Sequence, residues 1–331
     1  MTESGLEPPR TNTAPVSPKL RRPVVGQVVK FGFGIAVLAF GAVFIATRWK
    51  RVHAALESAR PGWLVLAAIF AVIGLLTSMA AFREVLAATA RRLPVRDVGR
   101  VHFISQLGKY IPGSVWSIVA LTELARRYRI SRRAAASAGV LTLVFSLVTG
   151  GIVGITLVVI AAARTTSGLW WLVLLIPVAV ALGHPRVVVS VLNRVLRLAR
   201  REPIEAELHG RALRDPLGWL LATWLFLGLQ CWALTVALGA DAPASLIPAI
   251  GGFALAYTAG TLFIPAPAGA GIREAVLAVS LVTVVHDSSS FNHDSVIVVV
   301  LLSRVLLAVL DFALAGLWLA VTRRDDPNRE I

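Results

Sequence analysis

The fold is decided by the run at residues 134–163, AAASAGVLTLVFSLVTGGIVGITLVVIAAA, which contains no Asp, Glu, Lys or Arg. About twenty such residues, at about 1.5 Å each along a helix, cross the hydrocarbon core of a bilayer. Residues 31–47 and 61–82 are also free of charge. A water-soluble fold would have to bury all three runs completely, so the pattern predicts an all-α polytopic membrane protein. Within residues 134–163, Gly150 and Gly154 have the four-residue spacing typical of close helix contact.

The composition of the whole chain agrees with this reading. The chain has 331 residues, of which 56% are hydrophobic and 15% charged, whereas about a quarter of a soluble domain is charged. The net charge of +15 is compatible with nucleic-acid binding, but 26 of the 33 Lys and Arg residues fall in four segments that alternate with apolar runs. Those segments are 1–30, 83–133, 184–216 and 322–331. Cytoplasmic loops show this bias, so we expect anionic lipid head groups as partners and no nucleic acid.

The charge pattern also predicts the topology. We expect a single membrane domain, 29–321, with about six full spans and two re-entrant or broken helical hairpins, eight membrane segments in all. The predicted spans are 29–47, 61–82, 134–163, 169–184, 217–239 and 296–321. Residues 1–28 are expected to form a disordered cytoplasmic tail, 185–216 a basic amphipathic stretch on the cytoplasmic face, and 322–331 a cytoplasmic C-terminal tail. We place the multi-pass protein in the bacterial plasma (inner) membrane, with both termini cytoplasmic.

The two hairpins are predicted from helix breaks in moderately apolar stretches. Residues 98–125 are flanked by basic clusters on both sides and break at Pro112-Gly113. Both ends therefore favour the cytoplasm, which predicts a re-entrant hairpin; an amphipathic pair lying on the membrane surface is the alternative. The second stretch, 245–286, has a long apolar arm, the break PAPAGAG at 265–271, and a short arm.

The order of these segments repeats. Residues 29–163 and 169–321 both have the order span, span, hairpin, span, and three crossings per half place the second half upside down. The breaks also look alike, since Tyr110-Ile-Pro-Gly and Phe263-Ile-Pro-Ala lie 153 residues apart. Inverted repeats with broken helices near the midplane are a recurring transporter architecture.

The second break has residues suited to binding an anion. Prolines and glycines give irregular backbone, which at membrane depth is buried in protein or faces a wet cavity. Arg273 and Glu274 then open a helix, where free amides and the guanidinium favour a phosphate group. The alternative is an Arg273–Glu274 pair that only pins the loop. We predict that the hinge or loop residues of the two breaks are Pro112, Gly113, Pro265, Pro267, Gly269 and Gly271.

Charges elsewhere in the spans complete the candidate site. Arg304 and Asp311 are seven residues apart and so share one helix face. Asp311 could neutralise Arg304, or pair with Lys109 or Arg273, and a buried pair that only fixes packing is the alternative to a binding role. We predict that the lipid head-group site comprises Lys109, Arg273, Arg304, Glu274 and Asp311.

Motifs of enzymes and cofactor sites are absent from the sequence. There is no His-Glu-x-x-His, Gly-x-Ser-x-Gly or Walker phosphate loop, so we expect no catalytic residues and no cofactor. The one cysteine, Cys231, excludes an internal disulfide and a Cys-based zinc site. No metal site is expected.

The breaks resemble those of a known family. Residues 263–275, FIPAPAGAGIREA, resemble the Pro-x-Pro-Gly-Gly-x-Gly-x-x-Glu signature of the flippase-like membrane domain of lysylphosphatidylglycerol synthases. Residues 106–113, QLGKYIPG, with the basic stretch 126–133, are similar to the first break of that family. Ala268 stands where the family pattern usually has Gly. Only ten residues follow the last span, so the chain looks like a stand-alone member without the soluble synthase domain.

The resemblance implies a protein that moves a lipid, or helps to move it, between leaflets. We therefore expect a lipid translocase, not an enzyme, that acts on a phosphate-containing lipid such as a phospholipid, glycolipid or polyprenyl-linked sugar. One alternative is an intramembrane enzyme acting on a lipid-linked sugar. Another is a non-transporting partner of a membrane glycosyltransferase, which would have a dry interior between the hairpins. The sequence leaves the oligomeric state open.

Overall fold

The computed structural model describes residues 53, 57, 59–110, 116–165, 211–263, 269–285 and 291–323. Every regular element in these ranges is helical. The α-helices are α1 (Pro61–Thr89), α2 (Val95–Gln106), α3 (Trp116–Arg126), α4 (Arg132–Thr165), α5 (Arg211–Ala237), α6 (Ala242–Leu262), α7 (Ile272–Val285) and α8 (His293–Arg323), and a 3-10 turn (Leu107–Tyr110) follows α2. Helices α1, α4, α5, α6 and α8 are long and apolar enough to cross a membrane. The predicted all-α polytopic fold is confirmed.

The helices follow the predicted segments with shifted ends. Helix α1 covers the predicted span 61–82, α4 covers 134–163 and α8 covers 296–321. Helix α5 begins at Arg211, ahead of the predicted start at 217, and Pro216 lies inside it. The parts of the prediction outside the described residues are the spans 29–47 and 169–184, the tail 1–28, most of 185–216 and nearly all of 322–331.

The two hairpins differ in the lengths of their arms. In the first, α2 and α3 have 12 and 11 residues, and the two helices pack against each other. In the second, α6 has 21 residues and α7 has 14, a length of about 21 Å for α7 against a hydrocarbon core of about 30 Å. Helix α6 starts before the predicted arm because the Asp241 carboxylate accepts a hydrogen bond from the Ala244 N–H at 3.0 Å. The long arm therefore has the length of a full crossing.

Helices α1 and α5 form the centre of the described fold and run antiparallel. The Arg60 N–H donates to the Ala237 carbonyl at 3.1 Å, while the hydroxyls of Thr77 and Thr223 lie 3.1 Å apart. Between these contacts, a Cβ added at Gly74 would lie 2.6 Å from the Leu227 side chain. These helices are the second spans of the two predicted halves. Antiparallel contact between equivalent helices is the relation expected of an inverted repeat.

The other helix contacts occur in matching pairs. Helix α4 packs on α6 as α8 packs on α2, and α3 packs on α4 as α7 packs on α8. The predicted small-residue interface on α4 is confirmed, since a Cβ at Gly154 would lie 2.6 Å from the Leu255 backbone and one at Gly150 would lie 2.6 Å from Thr258. Gly99 of α2 likewise admits the Trp318 indole of α8. The packing supports the predicted repeat and brings residues that flank the two breaks, Tyr110, Phe263 and Gly269, to one cavity.

Candidate functional site

A cavity of 390 Å³ lies where the two hairpins meet α8. Its charged lining residues come from three separate parts of the chain: Lys109 from the 3-10 turn, Arg273 from α7, and Arg304 and Asp311 from α8. The fifth predicted head-group residue, Glu274, lies beside the cavity. The structure therefore brings together all five residues singled out from the sequence.

Asp311 joins the first hairpin to α8. Its Oδ2 atom lies 2.6 Å from Lys109 Nζ and accepts a hydrogen bond from the Tyr110 hydroxyl at 2.7 Å. The carboxylate side chain is only 3% exposed, so a positive partner is needed to offset its loss of water. The Tyr110 ring stacks on Phe312, with ring centroids 5.5 Å apart. Of the partners left open by the sequence, Asp311 takes Lys109.

Glu274 joins the second hairpin to α8. Its Oε1 atom lies 3.3 Å from the Arg304 guanidinium, and its Oε2 atom accepts a hydrogen bond from the Gly271 N–H at 2.5 Å. The second contact is half of a capping box, in which the third helical residue reaches back to the N-cap amide. Glu274 thus pairs with Arg304, and the alternative Arg273–Glu274 pair is not formed.

Within the described part of the chain, Arg273 is held by aromatic rings and not by an ion pair. Its guanidinium lies over the rings of Phe253 and Tyr257, at 5.0 and 4.7 Å from their centroids. Among the described residues its side chain has no carboxylate within ion-pair distance. Among the described residues, the three cations Lys109, Arg273 and Arg304 face two carboxylates, Asp311 and Glu274, which leaves an excess of one positive charge in this part of the site. The breaks at 111–115 (IPGSV) and 264–268 (IPAPA) contain no ionisable side chain that would change this balance.

Glycines bring the two arms of each hairpin together beside these charges. A Cβ at Gly108 would lie 2.5 Å from the Ser117 amide nitrogen across the first break. A Cβ at Gly269 would lie 2.6 Å from the Gly260 Cα across the second break. Gly269 and Gly271 have φ values of +71° and +89°, which favour glycine strongly. The other predicted hinge residues, Pro112, Gly113, Pro265 and Pro267, lie outside the described residues.

One face of α4 forms a wall of the cavity. At one end of this face a Cβ at Gly139 would lie 2.7 Å from Leu121 of α3, and at the other end Gly150 is covered by Thr258 of α6. Between the two glycines, about 16 Å apart along the helix, the face is open to the cavity. The lining residues there are Thr142, Leu143, Ser146 and Leu147.

The cavity opens sideways next to this wall, where α6 ends. Leu262 and Phe263, at the end of α6, line the cavity and yet are 64% and 44% exposed, and Leu143 on α4 is 39% exposed. In a membrane helix bundle, exposed leucine and phenylalanine side chains on the rim of a cavity are suited to contact lipid chains. The cavity therefore has an apolar side opening between α4 and the end of α6.

The sequence did not indicate several residues that line the cavity or contact its charged side chains. Phe253 and Tyr257 support Arg273, but their four-residue spacing on one helix face also suits ordinary core packing. The signal for the α4 wall was the presence of Thr142 and Ser146 at helical spacing within an otherwise apolar run. Trp224 also lines the cavity, and its indole N–H donates to the Thr149 hydroxyl at 2.9 Å.

Together, the helices and the cavity define a polytopic all-α membrane protein with a positively charged chamber between two broken hairpins. The family model described as the lysylphosphatidylglycerol synthase TM region matches residues 27–315, and the chain belongs to that family. No curated protein matches the chain. Family membership implies a membrane lipid-related function.

Proposed function

We propose that the protein is a translocase that moves a phosphate-containing lipid between the leaflets of the bacterial plasma membrane. The head group would occupy the cavity, and the acyl or prenyl chains would remain in the bilayer through the side opening. One observation carries the proposal: Arg273, without a carboxylate partner in the described residues, lines a cavity that opens towards lipid.

The chemistry of Arg273 suits a phosphate group. A guanidinium donates two parallel hydrogen bonds to phosphate oxygens, and the aromatic rings beneath it hold its plane in place. The cavity volume of 390 Å³ is within the usual range for small-molecule sites, about 300–1,000 Å³. Lys109 and Arg304 add positive potential, although each already has a carboxylate partner.

Helix α8 couples binding of the head group to movement of the hairpins, because it contacts both of them. Its Arg304 holds the second hairpin and its Asp311 holds the first. A phosphate that approaches Lys109 competes with Asp311 for the ammonium and weakens the hold on the first hairpin. Rocking of one half of the repeat against the other would then alternate access, as inverted-repeat transporters do.

The site is less suited to the two alternatives. A general acid or base needs a carboxylate free to exchange a proton with substrate, whereas Asp311 and Glu274 are each held by a cation and a hydrogen-bond donor. A non-transporting partner protein would be expected to have a dry interior between its hairpins. The charged cavity favours translocation over that reading.

Transport in liposomes tests the proposal. The purified protein is reconstituted with phosphatidylglycerol carrying a fluorophore on one acyl chain, and the fraction accessible to a membrane-impermeant quencher is followed over time. Translocation makes nearly all of the probe accessible, whereas without it about half stays protected. Arg273→Ala should abolish the exchange and Arg127→Ala, at an exposed position outside the cavity, should not. Size-exclusion elution and helical circular dichroism verify folding, and unchanged transport in Arg273→Ala would refute the site.

A further inference from the structure

The charges of the cavity restrict the head group further. We propose that the site selects lipids whose phosphate is the only charge of the head group and whose remainder is uncharged and rich in hydroxyls, and that it disfavours head groups bearing an ammonium. This inference rests on the proposed function and names the substrate class of the same site.

The first argument is that both carboxylates at the cavity in the described part of the chain already have partners. Asp311 already contacts Lys109 and Tyr110, and only 3% of its side chain is exposed. Glu274 contacts Arg304 and the Gly271 amide. An ammonium entering the cavity would have to break one of these pairs, and in both cases it would strand a cation in the protein.

The second argument is that the aromatic rings near the charges already contact cations of the protein. Proteins that bind ammonium groups without a carboxylate do so with the faces of aromatic rings. Here the Arg273 guanidinium covers Phe253 and Tyr257. The Tyr110 ring stacks on Phe312 and has the Lys109 ammonium 5.4 Å from its centroid. These rings serve the cations of the protein itself.

The third argument is that side-chain hydroxyls of α1, α4 and α5 offer uncharged hydrogen-bond acceptors to the cavity. Ser78, Thr142, Ser146 and Thr223 line the cavity. The Thr142 hydroxyl donates its hydrogen to the Ala138 carbonyl at 2.8 Å, so its oxygen faces the cavity with lone pairs that accept hydrogen bonds. A glycerol or sugar head group supplies O–H donors to such a wall without adding charge.

The size of the discrimination follows from the excess charge on Arg273. An ammonium about 8 Å from the guanidinium, at an effective dielectric constant of about 20, is disfavoured about thirtyfold relative to an uncharged group. Bulk salt screens this repulsion less than at an exposed surface, because the charges lie in a cavity between helices.

Competition between matched lipids tests the inference. Phosphatidylglycerol and its lysyl ester share the phosphate and the chains and differ in the ammonium groups; phosphatidylinositol and phosphatidylethanolamine form a second pair. The protein is equilibrated with equimolar mixtures and the bound lipids are counted by native mass spectrometry. We expect phosphatidylglycerol and phosphatidylinositol to exceed their ammonium-bearing counterparts at least tenfold. Equal binding, or preference for the ammonium lipids, would overturn the inference.

Variants tie the preference to the excess charge. Arg273→Gln should reduce the discrimination to less than about threefold, since it removes the repelling charge, whereas Arg127→Gln should keep the full preference. Full preference in Arg273→Gln would contradict the role of Arg273. Translocation of the same lipids in liposomes separates the two proposals. Selective binding without translocation refutes only the proposed function, and translocation of all four lipids at equal rates refutes only the selectivity.

Discussion

Asp311→Asn, which removes the negative charge of the most deeply buried ion pair in the site, should destabilise the protein by about 3 kcal/mol. Removing one partner of a buried pair costs about 3–5 kcal/mol because the other charge is stranded. We expect the lower end, since the Lys109 side chain is 24% exposed and keeps some contact with water. The loss is measured as the change in free energy of unfolding in mild detergent, from a denaturant titration followed by circular dichroism.

A double-mutant cycle tests the physical reason. Lys109→Met should cost a similar amount, because it strands the Asp311 carboxylate among apolar neighbours. The double variant Lys109→Met/Asp311→Asn removes both charges and should be more stable than the sum of the two single losses predicts, by at least about 2 kcal/mol. Additive losses would show that the two side chains do not stabilise each other, and the assignment of Asp311 to Lys109 would then be wrong.

Three further predictions concern the second hairpin and the side opening. Glu274→Gln should destabilise the protein by about 1 kcal/mol, because it weakens the contact with Arg304 and the cap of α7. The loss is small because the side chains of Glu274 and Arg304 are each about a quarter exposed. Thermal unfolding measures the change, and an unchanged midpoint would contradict the prediction. Gly269→Ala should lower the free energy of unfolding by at least about 2 kcal/mol, because the residue has a positive φ and an added Cβ would meet the backbone of Gly260. The control Gly316→Ala has open space around it and should be neutral or slightly stabilising. Equal effects of the two substitutions would refute the strain argument. Leu143→Trp should narrow the side opening and slow translocation about tenfold or more, while lipid binding in native mass spectra persists. Unchanged translocation would show that the lipid chains do not pass through this opening.

The helices could be predicted from the sequence because the constraint behind them is simple. An apolar run without charge has to lie in lipid or in a core, and its length sets the number of crossings. The breaks were visible for a similar reason, since proline and glycine interrupt the backbone hydrogen bonds of a helix. The start of α6 was missed, although Asp241 followed by Pro243 is a helix-start signal in its own right.

The pairing of charges could not be predicted in the same way. Lys109 and Asp311 are 202 positions apart, and their contact depends on how α8 packs against α2 and the 3-10 turn. Local sequence allowed Asp311 to pair with Arg304 on the same face of α8, yet each of the two takes a partner on a different hairpin. The contact of Arg273 with Phe253 and Tyr257 could not be predicted either, because aromatic residues in an apolar helix are usually core residues.

The two attachments on α8 make this helix a mechanical link between the halves of the protein. Arg304 and Asp311 lie about 10 Å apart along one helix face, and they hold opposite hairpins with charges of opposite sign. A rotation of α8 that pulls on one hairpin must therefore load the other. If the protein alternates access as proposed, we expect the two hairpins to open together, and probes at either hairpin should then report the same relaxation rate.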